Sequence, residues 1–293
     1  MKNNRKFKFF LKDKIHFYWK YFISKVFKIW FEVRRPKFKI FIYEMMYSAK
    51  KFIKYTSLLP SPFKEDHVET RFGIFKIRPH TSDMSNVSPA FERSDMDYLL
   101  ELILRLQDEN RKILFIDIGA DIGTFAITVG NQFKLYKHLH IMAFEPARSS
   151  YTLLEENINI NNLQEKVEIY NVALFNEDNR AIEFQFNPDA PGSSGLKIAS
   201  SDSGNQKVFT KTLNSLLIDK AKIYDAIIFK VDVEGLETEV LKGGDKILNS
   251  GKDIYLLVED FVNPAIIDYL ENIGAEFICK RTPYNSWWHI PVR

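Results

Sequence analysis

The chain has 293 residues, 45% of them hydrophobic and 27% charged, the balance of a soluble globular protein with room for a full core in one or two domains. No stretch approaches the roughly 20 apolar residues of a membrane span, and Lys residues interrupt the first 30 positions too often for a signal-peptide core. The single cysteine, Cys279, excludes an intrachain disulfide, and its apolar run Phe277-Ile278-Cys279 predicts a buried, inert thiol.

The net charge of +3 hides an asymmetry. Residues 1–56 carry 16 Lys and Arg against Asp13, Glu32 and Glu44, a net +13 that leaves −10 for the remainder. The same arm holds 17 of the chain's 42 aromatic residues. Ile15, Trp19, Phe22, Val26, Ile29 and Val33 recur at helical steps, with Lys14, Lys20, Lys25 and Lys28 mostly off that stripe, until Pro36. Phe38, Phe41, Met45, Ala49 and Phe52 repeat the pattern up to Pro60. The spacing predicts an amphipathic helical arm over 1–60 and a separate, mildly acidic domain over 67–293.

Within that domain the pattern predicts a strand over 72–78 and a helix over 95–106. Strands and helices then alternate: strands over 113–118, 141–144, 167–172, 226–231 and 254–258, and helices over 124–134, 149–160, 236–248 and 264–273. Short apolar strands separated by single helices signify a parallel sheet covered on both faces. An insertion, with strands over 181–186 and 207–212 around the Gly/Ser-rich loop 191–205, separates the third and fourth of these strands. Runs at 276–280 and 287–292 around Thr282-Pro283-Tyr284-Asn285-Ser286 predict a terminal antiparallel hairpin, which completes the outline of a Rossmann-like class I methyltransferase sheet, an α/β fold.

The chemistry concentrates at strand ends. In Phe115-Ile116-Asp117-Ile118-Gly119-Ala120-Asp121-Ile122-Gly123-Thr124 a buried strand enters a glycine turn and a helix begins, so backbone can meet a ligand at the carboxyl edge of the sheet. Gly119 and Gly123 are four apart, which departs from the G-x-G spacing of a nicotinamide site, and Asp117 and Asp121 would repel a pyrophosphate. They suit a cationic amino-acid end such as the methionine moiety of S-adenosylmethionine. Glu145, in Phe144-Glu145-Pro146 about 20 residues on, is placed to hold ribose hydroxyls. In Lys230-Val231-Asp232-Val233-Glu234-Gly235-Leu236-Glu237, Asp232 and Glu234 are two apart at the same edge, so both can face the pocket. One of them could accept a hydroxyl proton during methyl transfer, or the pair could hold a divalent cation, although a resident metal is not predicted. Glu234 could equally be an acidic cap for the following helix, and Glu259 is a further pocket candidate. Of the histidines, His67 and His289 stand apart, and His80, beside Thr81-Ser82-Asp83, is the one plausible pocket base. Trp287-Trp288 reads as hairpin packing, and Ser193-Ser194 as a lid or a plain surface loop.

These pieces together resemble the FkbM family of methyltransferases. Thr81-Ser82-Asp83, the Phe115 to Gly123 run, Phe144-Glu145-Pro146, Asn171-Val172-Ala173-Leu174, Gly192-Ser193-Ser194, Thr212-Leu213-Asn214-Ser215-Leu216-Leu217, the Lys230 to Glu237 run and Val240-Leu241-Lys242-Gly243-Gly244 stand in family order over about residues 67–262. The resemblance implies S-adenosylmethionine as donor and O-methylation of a sugar or natural product, such as a surface glycan or lipid-linked precursor. It adds Thr124, Pro146, Val172 and Ala173 to the donor-binding set of Asp117, Gly119, Asp121, Gly123 and Glu145, beside catalytic Asp232, Glu234 and His80. Asn214 departs from the family pattern, which has Asp there, and the arm lies outside it.

For the arm, interleaved rings and Lys fit an anionic membrane surface, which would place a cytoplasmic protein peripherally on the inner membrane face. A protein partner or homo-oligomer interface is the second expectation. Nucleic acid is the third, with an RNA or DNA methyltransferase as the rival function. The Asp-Val-Glu-Gly ending of the fourth strand counts against it, since amino-methylating enzymes carry an Asn-Pro-Pro-Tyr type loop. A non-catalytic membrane adaptor would require loss of the ligand residues, which are present.

Overall fold

The structure, a computed structural model, describes residues 66–78, 81–87, 91–185, 195–196 and 206–292. The predicted basic arm, His80, Ser193 and Ser194 lie outside the described residues. In chain order the elements are β1 (His67–Glu69), β2 (Ile74–Lys76), α1 (Asp83–Asn86), α2 (Arg93–Asp108), β3 (Ile113–Ile118), α3 (Thr124–Gln132), β4 (Leu139–Phe144) and α4 (Arg148–Ile160). There follow β5 (Val167–Tyr170), β6 (Ala173–Leu174), β7 (Ala181–Gln185), β8 (Gly195–Leu196), β9 (Gln206–Lys211), α5 (Leu213–Ala221) and β10 (Ala226–Val231). Last come α6 (Glu237–Lys242), α7 (Asp245–Leu248), β11 (Asp253–Glu259), α8 (Ala265–Asn272), β12 (Glu276–Cys279) and β13 (Asn285–Ile290).

Seven strands form the central sheet in the order β12-β13-β11-β10-β3-β4-β5. The five strands from β11 to β5 are parallel, and β13 runs antiparallel to both β11 and β12. This is the class I methyltransferase arrangement that the alternating pattern and terminal hairpin predicted. All six residues of β3 and of β10 are buried, because helices cover both faces. The alternation of side chains divides β3 between two cores: Ile113 and Phe115 face α2, α3 and α4, while Leu114, Ile116 and Ile118 face α5 to α8. Reversal of strand order beside β3 opens the crevice at the carboxyl edge where such sheets bind ligands.

Four local readings differ from expectation. The predicted strand 72–78 shortens to β2 and pairs with β1, and Asn157 of α4 and Asn161, just after that helix, bond to its backbone. The predicted helix 236–248 breaks into α6 and α7 at Gly243-Gly244. A Cβ on Gly243 would lie 2.1 Å from the Phe175 carbonyl oxygen, and the Gly243 carbonyl accepts from Asn214 N–H. Helix α5, unread in the sequence, begins at Thr212, whose hydroxyl accepts the Ser215 N–H. Cys279 is half-buried rather than buried, because it sits at a register shift on the sheet's outermost strand. The tryptophans do pack the hairpin: Trp287 is fully buried and donates to Asp95, which also accepts from Thr282 and Asn285 and so locks α2 to β13. No helix among the described residues is long and apolar enough to cross a membrane.

Candidate active site

The carboxyl edge of the sheet carries a cavity of about 380 Å³, within the usual range for a small-molecule site. Its first wall is the turn from β3 to α3. Gly119 has φ +75°, and a Cβ there would lie 1.8 Å from the Asp232 carbonyl oxygen, so only glycine lets the β3 and β10 turns approach this closely. The N–H groups of Gly119 and Ala120 both donate to the Phe144 carbonyl, tying this turn to the end of β4.

Gly119, Asp121, Thr124, Glu145, Pro146, Val172 and Ala173, all in the expected donor-binding set, line the cavity. Asp117 and Gly123 stand behind the wall. Asp117 is 1% exposed; its Oδ2 accepts the Ala126 N–H at 3.1 Å, and Lys230 Nζ lies 3.7 Å from its Oδ1. It therefore anchors the start of α3 and a buried cation. Gly123, with φ +94°, makes room for Leu154 and Ile127, so its work is packing. Asp121 reaches the wall already committed: Oδ1 accepts from Arg78 Nη2 at 2.8 Å, and the same guanidinium clasps the fully buried Asp83 at 2.7 and 2.8 Å. Thr81 fixes this clasp by donating to the Arg78 carbonyl and accepting the Asp83 N–H.

Glu145 is buried, and both its oxygens accept backbone amides, Oε2 from Asp121 at 2.9 Å and Oε1 from Ala147 at 2.8 Å. Burial, then the Asp121 charge, pushes its pKa up to about 8. Each oxygen keeps a lone pair for a ligand hydroxyl. Asn171 steadies the same corner by donating to the Glu145 and Pro146 carbonyls.

The opposite wall is built by β10, β11 and the turn before α2. Lys230 is buried and donates to the Gly119 carbonyl at 3.0 Å, with Asp232 Oδ2 at 3.2 Å. Burial would lower its pKa, but the charges of Asp232, Asp117 and Glu92 raise it, so it stays charged. Around it stand Glu92, Asp232, Glu234 and Glu259, all lining the cavity. Glu92 and Glu234 are pushed up to about 7 and Glu259 to about 8, in each case by burial first and the Asp232 charge second. Oε2 of Glu259 is buried without a hydrogen-bond partner. The cap on this turn is Glu237, not Glu234: its Oε1 accepts the N–H groups of Val233 and Gly235 at 3.1 and 3.0 Å, which leaves Glu234 facing the cavity. Among the described residues, no three His, Cys, Asp or Glu side chains are grouped to hold a metal ion. His67 bonds to Asp66 at the surface, and His289 to Asp253 at the start of β11, the edge remote from the cavity.

Sequence reasoning missed Arg78, Glu92, Lys230, Glu237 and Tyr284. Lys230 carried a signal, since a lysine inside an apolar strand is buried only if paired. Arg78, Glu92 and Tyr284 carried none, because their roles arise from tertiary approach.

The charge of the lining tests which ligand fits. Glu92, Asp121, Glu145, Asp232, Glu234 and Glu259 face the cavity with Lys230 as the one cationic side chain among its described lining residues, beside apolar Ile118, Phe125, Phe144 and Pro146. A phosphate-free, cationic cofactor with an aromatic base suits this wall, as S-adenosylmethionine does, and a dinucleotide does not. The fold is thus that of class I methyltransferases, and the lining suits S-adenosylmethionine. The Methyltransferase FkbM domain signature matches residues 117–277, and the chain belongs to that family. A fungal relative, Methyltransferase 1 of Beauveria bassiana (strain ARSEF 2860), is 28% identical over 150 residues, or 44% of this chain, and the match spans 57% of that relative's length. Solved structures with a similar outline include the N-terminal domain of human METTL16 in complex with SAH (13% identity, TM-score 0.39, 67% of this chain and 68% of that one). A SAM-dependent methyltransferase from Aquifex aeolicus is another (14% identity, TM-score 0.37, 65% and 87%).

Proposed function

We propose that the protein transfers the methyl group of S-adenosylmethionine to a hydroxyl of a sugar-like acceptor. The observation that carries this reading is the acidic wall of Glu92, Asp232, Glu234 and Glu259 around Lys230, facing the donor turn across one cavity. The bound donor supplies an electrophilic methyl group on a cationic sulfur. With donor bound, the acceptor oxygen would bond to that methyl as the carbon–sulfur bond breaks and the neutral thioether product leaves, and the O–H proton would pass to a carboxylate of the wall. Asp232 is the proposed acceptor of that proton, held by the Lys230 ammonium, with Glu234 beside it. Such positioned acid–base help is worth roughly 10²–10⁴-fold in rate. Glu145 and the Gly119 to Asp121 backbone bind and orient the donor.

The excess of carboxylates also supports a neutral acceptor over a polyanionic one, which counts against RNA or DNA. The decisive experiment incubates the protein with donor carrying a labelled methyl group and a panel of neutral glycosides, nucleic acids and amines. Label in a base-stable methyl ether supports the reading; label confined to RNA, DNA or amine nitrogen overturns it.

We further propose that the arm contacts an anionic membrane, on the strength of its +13 charge and 17 aromatic residues. Full-length protein should sediment with anionic vesicles at low salt and less with neutral ones. Replacing Lys14, Lys20, Lys25 and Lys28 together by Gln should weaken that binding. Preference for RNA over vesicles, or no effect of the substitutions, overturns it.

A further inference from the structure

The donor and its demethylated product differ by one methyl group and one positive charge, so a wall of unneutralised carboxylates cannot treat them alike. Among the described residues six carboxylates line the cavity, and two have fixed partners: Asp121 in Arg78, through one of its oxygens, and Glu145 in two backbone amides. The other four stand around one ammonium, which Asp232 and, from behind, Asp117 approach directly, and Glu92 is also bonded to Asn285. The backbone marks two of these four as well. Six non-glycine residues among those described have positive φ. Three are Asn, which tolerates that region, and the other three are Glu92 (φ 42°), Asp121 (φ 47°) and Glu234 (φ 54°), all facing this cavity. Such conformations persist where the surroundings impose them, and they cluster at functional sites. Glu92 also lies outside the matched family segment.

We propose that Glu92, Asp232, Glu234 and Glu259 form a charge-selective wall that favours the sulfonium donor over its neutral product. A positive charge entering the cavity relieves the mutual repulsion of these four groups, and the product, once that charge is gone, no longer does. Donor therefore loads and product leaves without a moving part. The charged and titratable groups around the wall are Lys230, Asp117 and Glu237, Asp95 beside Glu92, and Tyr284, Asp121 and Glu145 in the cavity lining. Of these, Lys230 alone is cationic, and the carboxylates around it hold its charge. Glu92, Glu234 and Glu259 take up protons as pH falls below about 7 to 8, so the preference weakens in acid. The inference rests on donor binding alone and is independent of the acceptor.

Calorimetry of full-length protein with S-adenosylmethionine and with S-adenosylhomocysteine tests it. The expected result is a preference for the donor of about tenfold or more at pH 8.5, which one pKa unit of linkage supplies, shrinking to within about threefold at pH 6. Glu92→Gln and Glu259→Gln should each weaken donor binding about three- to tenfold and leave product binding unchanged. Product binding as tight as donor binding across this pH range overturns the proposal. Equal loss of both ligands in both variants does so too, because a merely structural role would produce it. Failure of the methyl-ether assay with this preference intact would overturn the acceptor reading alone.

Discussion

The two walls of the cavity are both acidic, yet they are built on opposite terms. On the donor-turn side each carboxylate has a fixed partner through at least one oxygen: Asp121 and Asp83 share Arg78, Glu145 holds two amides, and Asp117 holds the first turn of α3, while Asp121 Oδ2 and Asp117 Oδ1 are buried without a hydrogen bond. On the β10–β11 side four carboxylates divide one ammonium, and Glu259 keeps a buried oxygen with no partner. Buried polar groups are normally paired, and exceptions need an explanation. We read the first wall, held by fixed partners, as the one that shapes the pocket, and the second, with one ammonium among four carboxylates, as the one where charge and protons move.

The largest effect should come from the point where the walls touch. Gly119→Ala would push a methyl group to within 1.8 Å of the Asp232 carbonyl and force a left-handed backbone on alanine. Chemical denaturation should register a loss of about 2–4 kcal/mol, with donor binding lost as well. If the variant binds donor normally, the walls are not in register through Gly119.

Next is Asp232→Asn, which removes the charge and keeps the shape. Turnover should fall about 10²–10⁴-fold while donor binding weakens far less. The opposite split, with donor affinity collapsing and the rate per bound donor unchanged, would erase the distinction between walls.

pH acts on both walls at the level of stability. Glu92, Glu145, Glu234 and Glu259 have folded pKa values of about 7 to 8 against an ordinary value of 4.5. A raised folded pKa contributes stability in full below the unfolded value, and that contribution is lost as pH rises through the folded one. Thermal melting of the ligand-free protein should therefore drop by several degrees between pH 6 and pH 8.5, and saturating donor should reduce the drop. A melting temperature that rises over this window would mean the carboxylates are paired after all.

Part of each wall was legible in the sequence because strand ends and glycine spacing fix it locally. Gly119, Glu145 and the Asp232-x-Glu234 step sit where the alternating pattern put them. What escaped was whatever depends on approach between distant segments. Asp121 was expected to meet a ligand cation directly, and the structure hands it Arg78 from 43 residues upstream. Glu234 was weighed as a helix cap, and Glu237 takes that work because its side chain can turn back onto the Val233 and Gly235 amides. Glu92 reaches the cavity only because α2 is locked to the hairpin through Asp95, a contact spanning nearly the whole domain. The split of one expected helix at Gly243-Gly244 has the same origin, a backbone approach from Phe175.

The smallest effect belongs to a position in neither wall. Asn214 departs from the family's Asp, a difference that on sequence grounds could have touched the chemistry. It does not line the cavity; its amide donates to Asp245 Oδ1 at 2.5 Å, joining the start of α5 to the start of α7. Asp in its place would set two carboxylates against each other where a donor now meets an acceptor. Because the contact is close to solvent, Asn214→Asp should cost only about 0.5–1 kcal/mol, within the range for surface charge pairs. High salt should recover part of that loss by screening. Donor affinity and turnover should stay at the level of the unaltered protein, since Asp245 is remote from both walls. Were the substitution to raise turnover instead, the α5–α7 junction would be coupled to the cavity through Gly243, whose carbonyl accepts the Asn214 amide.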